Sequence, residues 1–225
     1  QIPTSALSDQ TPINVHKVIS EPPSFLKDKW NWDEKELPTS NSEGVHSLKF
    51  QKDYSWSEIL LFLLSNPSIA SKKWVFQQYD YQVQLNTVFK PGESDAAVIR
   101  LRSQHDTNTQ NKIYKGIAAS VDCNNRWVAL DPYRGSIAAV AESARNVTCV
   151  GALPVAITNN LNFSSPENDI GFWQLASSCE GISEACKILE TPVTGGNVSL
   201  YNETKDSNNN IQPIHPTPVI GMVGL

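Results

Sequence analysis

Long apolar runs are missing from this sequence. The longest is Ile59-Leu-Leu-Phe-Leu-Leu64, far short of the ~20 residues a membrane span needs. Positive charge is also scarce: 18 Lys and Arg stand against 23 Asp and Glu, a formal net charge of -5. Binding to a phosphate backbone needs clustered cations, so a nucleic-acid binder is excluded as the default. Methionine is reduced to a single residue, Met222. The sequence begins at Gln1 and ends on Val219-Ile-Gly-Met-Val-Gly-Leu225, so both ends read as cuts. No basic-then-apolar start marks a secretory signal.

Cysteine is sparse as well. Cys123, Cys149, Cys179 and Cys186 form no C-x-x-C pair and have no His at metal spacing. They read as reduced, mostly buried thiols. Two disulfides in a secreted protein are the alternative, which gains a little from the Asn-x-Ser/Thr sequons at Asn146, Asn162, Asn197 and Asn202. A chain rich in Asn and Ser produces such sequons by chance. No local nucleophile–base pair appears. His16 and His46 lie in a connector, His105 in a polar loop, and His215 beside Pro216. A Walker loop and a Rossmann fingerprint are both absent.

What is present is an ordered series of elements. Residues 1 to about 52 read as a connector, punctuated by Pro3, Pro12, Pro22, Pro23 and Pro38. Trp30 and Trp32 in a polar segment predict packing onto a surface, that of a partner or a missing domain. Residues 55–64 predict a helix capped by Ser55 or Ser57 and ended by Asn66-Pro67. A short helix is predicted over 71–79, and 82–90 reads as extended. Strands follow at 96–101 and 116–121, with a hairpin loop over 103–112. A helix is predicted over 137–149, stopped at Gly151. A short strand covers 155–157. The next helix runs to about Leu189, its core face made of Phe172, Leu175, Ala176, Cys179, Ile182, Cys186 and Leu189. Strands at 193 and 219–225 close the series. The order β-β-α-β-α-β-β predicts an α+β layer: a mixed sheet with helices packed on one face.

Polar clusters follow three of the apolar strands: Asp122-Cys-Asn-Asn-Arg126, Thr158-Asn-Asn-Leu-Asn162 and Gly195-Gly-Asn-Val-Ser199. Ligands favour such strand ends. Gly195-Gly196 would let backbone N–H groups approach a phosphate closely. Asn197 offers a neutral oxygen to a hard cation such as Mg²⁺, and Ser199 offers a hydroxyl. The same residues also suit a bulge or a turn. Local pattern alone reaches no further than an α+β domain with a plausible anion site.

Longer stretches carry a resemblance. Asp131-Pro-Tyr-Arg-Gly135, Ala138-Ala-Val-Ala-Glu-Ser-Ala-Arg-Asn146, Gly151-Ala-Leu-Pro-Val-Ala-Ile-Thr158, Asn160-Leu-Asn-Phe163 and Gly195-Gly-Asn-Val-Ser-Leu-Tyr-Asn-Glu203 occur in order. So do Trp74-Val-Phe-Gln-Gln-Tyr-Asp80, Asn86-Thr-Val-Phe-Lys-Pro-Gly92 and the ending from Pro216. Together they resemble the phosphoribosylformylglycinamidine synthase large subunits (PurL), of the aminoimidazole-ribonucleotide-synthetase-like superfamily. The connector fits more loosely.

The resemblance implies a tandem enzyme of two halves. Residues 1–85 then form the tail of a preceding domain, the connector and two short helices. Residues 86–225 form the N-terminal domain of the second half, similar to that of aminoimidazole ribonucleotide synthetase. The implied reaction belongs to purine biosynthesis in the cytoplasm. ATP phosphorylates the amide oxygen of formylglycinamide ribonucleotide, and glutamine-derived ammonia displaces phosphate to leave an amidine. Implied partners are a glutaminase subunit, a small accessory subunit and the remaining domains of the same enzyme. Mg²⁺ and backbone donors would neutralise the transferring phosphoryl group. Residue by residue, the resemblance implies ATP contacts at Asn159 and Gly196, Mg²⁺ at Asn197 and substrate at Ser199. The family's catalytic His lies in the other half, so no catalytic residue is expected here and the chain alone is expected to be inactive.

Two departures stand out. The family usually has Asp in its Thr-Asp-x-Leu-Asn-Phe motif, where this sequence has Asn159, which removes a charge and adds an NH₂ donor. At the helix start the family often has Gly-Gly-Lys, against Gly135-Ser136-Ile137 here. Ser136 is then a candidate helix cap. The first departure leaves an alternative: a non-catalytic, nucleotide-binding or structural half of the tandem enzyme. Apolar surface made to be covered by a sister half predicts self-association of the chain alone.

Overall fold

The computed structural model describes residues 2–13, 15–47, 49–102 and 115–225. The predicted 103–112 hairpin loop, with His105, lies outside the described residues. In chain order the strands and helices are α1 (Ser24–Trp30), β1 (Thr39–Ser40), β2 (Gly44–Ser47), β3 (Lys52–Ser55), α2 (Trp56–Ser65), α3 (Lys73–Phe76), β4 (Ala97–Leu101) and β5 (Lys115–Asp122). They continue with α4 (Asn125–Leu130), α5 (Pro132–Cys149), β6 (Pro154–Asn162), α6 (Asp169–Leu189), β7 (Val193–Ser199), β8 (Glu203–Lys205), β9 (Ile211–Pro213) and β10 (Thr217–Gly224).

The main sheet is five-stranded, in the order β4-β5-β10-β6-β7. β6 and β7 run parallel, and the other neighbours are antiparallel. β10 pairs with β5 on one side and β6 on the other, and strict alternation gives it one buried face. Pro218, Ile220, Met222 and Gly224 are buried, and the residues between them are only half-buried. Ile220 and Met222 meet Ile157 of β6 beneath Val140, Ala144 and Val147 of α5 and Ile182, Ala185 and Cys186 of α6. Each large side chain fully buried there, such as Ile157 or Ile220, contributes about 1.5–3 kcal/mol. The predicted mixed sheet with helices on one face is therefore the observed α+β fold. Among the described residues, no helix is long and apolar enough to cross a membrane.

Several boundaries differ from expectation, each for a local reason. Helix α5 starts at Pro132 rather than at 137, because the Asp131 carboxylate accepts the Arg134 N–H at 3.0 Å and Pro132 needs no intrahelical donor there. Ser136 is therefore not a cap. It is fully buried inside the helix, and its hydroxyl has no partner among the described residues. Gly151 does stop the helix, at φ 86°. Helix α4 consumes the end of the Asp122–Arg126 cluster, with Asn124 accepting the Trp127 N–H at 3.2 Å. The core face of α6 is rotated from the predicted one. Gly171, Trp173, Ser178, Ile182, Ala185 and Cys186 are buried, whereas Cys179 and Leu189 are exposed. The short helix is only α3, and residues 83–85 form a 3-10 turn where extended chain was expected.

Helix α2 matches its prediction, with Ser55 and Glu58 forming a reciprocal capping box. The connector holds structure that its lack of periodicity concealed. β1, β2 and β3 form a separate antiparallel sheet. Leu26 of α1 is buried, and Trp30 Nε1 donates to the Leu130 carbonyl at 2.7 Å. His16 stacks obliquely on Phe172, with centroids 5.1 Å apart. The surface receiving Trp30 is thus this chain's own α4, while Trp32 stays exposed.

Candidate functional site at the β7 edge

Strand β6 extends well past the predicted 155–157, so the Thr158–Asn162 cluster is strand and not a following loop. β7 likewise runs through Gly195-Gly196 without a break, with a register irregularity just before Thr158. Neither glycine adopts a positive φ. The phosphate-cradling loop expected there is therefore part of a strand. Its place still favours a ligand. β7 is the last strand of the sheet, so one side of it carries unpaired backbone N–H and C=O groups among the described residues.

The parallel register brings the expected residues side by side. Asn159 lies opposite Gly196, Asn160 opposite Asn197, and Asn162 opposite Ser199. Alternation then divides them between two faces. Ile157 and Leu161 point into the core, so Asn159 shares the helix side. A Cβ on Gly196 would stand 2.1 Å from Asn159 Oδ1, so the Asn159 amide occupies the space that a side chain would take. Beside it, a cleft of about 440 Å³ is lined by Asn159, Cys179, Ile182, Cys186, Pro192 and Val193.

Asn160 and Asn197 lie on the opposite, helix-free face. Asn197 Nδ2 donates to Asn160 Oδ1 at 3.2 Å. Asn197 Oδ1 accepts no hydrogen bond from the described residues, so it is the oxygen available to a ligand. Ser199, at the end of β7, has its hydroxyl 3.3 Å from Asn202 Oδ1. Asn202 Nδ2 donates to the Ser199 carbonyl at 2.9 Å and to the Phe163 carbonyl at 3.0 Å, tying the ends of β6 and β7 together. Thus Asn159 and Gly196 meet on one face, and Asn197 and Ser199 on the other. Only a ligand reaching around the edge strand meets both sets.

The donor set defines what cation fits. Among the described residues, no group of three or more His, Cys, Asp or Glu could hold a metal ion. One neutral amide oxygen on an exposed edge fits a cation carried in on a ligand's phosphates rather than a resident metal.

Sequence reasoning missed Asn160 and Asn202 as partners of Asn197 and Ser199. The strand register that pairs the first two has no signal within either segment alone. It also missed a polar network behind the sheet. Asp122 accepts from Ser143 Oγ and from Asn146 Nδ2, both at 2.9 Å. Next to it, burial and then the Glu142 carboxylate push the Cys123 thiol up to about 11. All four cysteines are unpaired, as expected, although Cys149 and Cys179 are exposed rather than buried.

Over 224 residues the chain is 70% identical to phosphoribosylformylglycinamidine synthase subunit PurL of Prochlorococcus marinus strain MIT 9312. That alignment takes in 100% of the chain and 29% of the relative, so the chain spans under a third of the length of the curated protein it matches. Among solved structures, PurLQS from Thermotoga maritima superposes with a TM-score of 0.57 at 35% identity, over 69% of this chain and 24% of that one. T. maritima PurL complexed with ATP gives 0.54 at 34% identity, over 69% and 23%. T. maritima PurL complexed with FGAR gives 0.55 at 26% identity, over 93% and 26%. Residues 93–225 match the family model for the AIR synthase related protein, N-terminal domain, and they include the whole main sheet with α5 and α6. The chain belongs to the AIR synthase related protein family.

Proposed function

We propose that this chain is part of an ATP-dependent C–N ligase that converts formylglycinamide ribonucleotide and glutamine-derived ammonia to the corresponding amidine, in cytoplasmic purine biosynthesis. The observation that carries this reading is the β6–β7 register. It sets Asn159 beside Gly196 and Asn160 beside Asn197 on an open edge, with Ser199 one step further on. The identity to PurL and the ATP- and FGAR-bound T. maritima PurL structures support it.

In this reading Gly196 and Asn159 contact the nucleotide, and Ser199 contacts the ribonucleotide substrate. Asn197 Oδ1 meets Mg²⁺ bound to the ATP phosphates. When bound, the cation offsets charge on the transferring phosphoryl group. The residues themselves position: the edge backbone and amides orient the phosphates, and Asn202 holds the Ser199 hydroxyl. Residues 86–225 act as the nucleotide-site domain and 1–85 as its approach segment. The catalytic His, a glutaminase subunit, a small accessory subunit and the other domains are supplied from outside this chain, which alone turns over no substrate. Asn159 in place of the family's Asp favours a second reading, in which this half binds nucleotide without taking part in chemistry.

In the full-length protein, Asn197→Ala and Ser199→Ala are each expected to lower kcat/KM at least about tenfold, the loss expected for a charge-assisted contact. Wild-type steady-state rates in both variants would overturn the assignment.

A further inference from the structure

We propose that Asn160 is a positioning residue for Asn197, an inference that rests on the metal contact proposed above. A primary amide can present either its oxygen or its NH₂ group, and the two ends have almost the same shape. A cation is served by the oxygen alone. Asn197 sits on an exposed edge strand, where its amide makes no hydrogen bond to the backbone of the described residues. Asn160 makes the selection. It lies directly opposite in the parallel register, on the same helix-free face, and its Oδ1 accepts from Asn197 Nδ2 at 3.2 Å. With the NH₂ end held, Asn197 Oδ1 turns away from β6 toward the ligand side.

The register makes the pairing specific. The preceding pair, Asn159 and Gly196, faces the helices and offers no second amide. Asn162 is committed elsewhere, its Nδ2 lying 3.1 Å from the Asn160 carbonyl and 3.3 Å from that of Thr217. Asn160 is thus the side chain left to orient Asn197. Asn160→Asp keeps an acceptor at that point and cannot present a donor in its place. Asn160→Ala removes the acceptor and frees the Asn197 amide to rotate.

The experiment uses the full-length protein and equilibrium binding of the non-hydrolysable analogue AMPPCP, measured with Mg²⁺ and again with EDTA. The Mg²⁺-dependent gain in affinity is the readout, and thermal melting without ligand checks the fold. Asn160→Ala is expected to cut that gain about fivefold, the worth of one neutral hydrogen bond, and to leave affinity in EDTA unchanged. Asn160→Asp retains the gain. In the double variant with Asn197→Ala, the loss equals that of Asn197→Ala alone, because Asn160 acts through Asn197. If Asn160→Ala does not fold, Asn160→Val, a good strand former with no acceptor, gives the same reading.

An unchanged gain in Asn160→Ala, additive losses in the double variant, or equal losses in Asp and Ala would each overturn the inference while leaving the metal contact standing. Equal losses with Mg²⁺ and with EDTA would reassign Asn160 to general support of the strand and overturn it too. No loss in Asn197→Ala itself would remove the metal contact, and the inference with it.

Discussion

The two adjacent glycines of β7 should respond oppositely to the same added methyl group. In Gly196→Ala the new Cβ would stand 2.1 Å from Asn159 Oδ1 and 2.8 Å from the Asn159 carbonyl oxygen. A rotation of the amide relieves the first contact. The second is backbone on backbone and is relieved only if β7 draws away from β6. Overpacking of this kind costs about 1–3 kcal/mol, and an edge strand yields more easily than a central one, so about 2 kcal/mol is expected. For a chain of this size that lowers Tm by about 4–8 °C. In Gly195→Ala the new Cβ meets nothing within 4 Å. Replacing glycine within a strand then recovers about 0.5–1 kcal/mol of backbone entropy, so Tm holds or rises slightly. Calorimetric melting of the two variants beside the parent chain makes the comparison. Asn159→Ala combined with Gly196→Ala should recover only the side-chain share of the loss. Equal Tm values for the two single variants, or a larger loss at Gly195, would refute the account of a crowded Gly196.

Two further predictions concern the rest of the domain. The Cys123 thiol, held up to about 11 by burial and by Glu142, is expected to resist iodoacetamide at about pH 8 while exposed Cys149 reacts, as peptide mass mapping would read. Its pKa is raised by folding, so the stability it contributes is complete below the unfolded thiol's ~8.5 and is lost as pH rises through about 11. Alkaline unfolding should therefore shift to higher pH in Cys123→Ala if that variant keeps the packing. Asp131→Ala removes the carboxylate that caps α5 and should cost about 1 kcal/mol in urea denaturation. Ser136→Ala, by contrast, removes a hydroxyl with no partner among the described residues and should cost nothing or stabilise.

The main sheet and its helices were legible because their signals are local. The apolar run over 219–225 marks a strand, and the three-and-four spacing along 169–189 marks a helix although not its buried face. The errors fall where two rules compete. Asp131-Pro132 is a strong helix start, yet Gly135 beside Ser136 looked like a boundary and drew the start inward by five residues. On α6 a stripe of large apolar residues suggested one face, but close packing on α5 buries the small Ser178 and Gly181 instead. The connector's β1–β3 sheet was invisible because its strands are two to four residues long, too short for a period to register.

The candidate site was legible in its residue types and not in its shape. Asn159, Gly196, Asn197 and Ser199 sit close in sequence to one another in two clusters, which suggests a shared pocket. Strand geometry forbids that for side chains: neighbours point to opposite faces, so an Asn-Asn pair along β6 serves two different environments. One amide lies against Gly196 above an apolar cleft, the other beside Asn197 in the open. That division needs β7 at the sheet edge, since a further strand would close the route between the faces. The edge position in turn follows from topology. β10 comes last in sequence yet inserts between β5 and β6, which leaves β7 as the outer strand. No feature near residues 193–199 encodes that insertion. It is carried by β10, some twenty residues further on, which pairs with β5 on one side and β6 on the other.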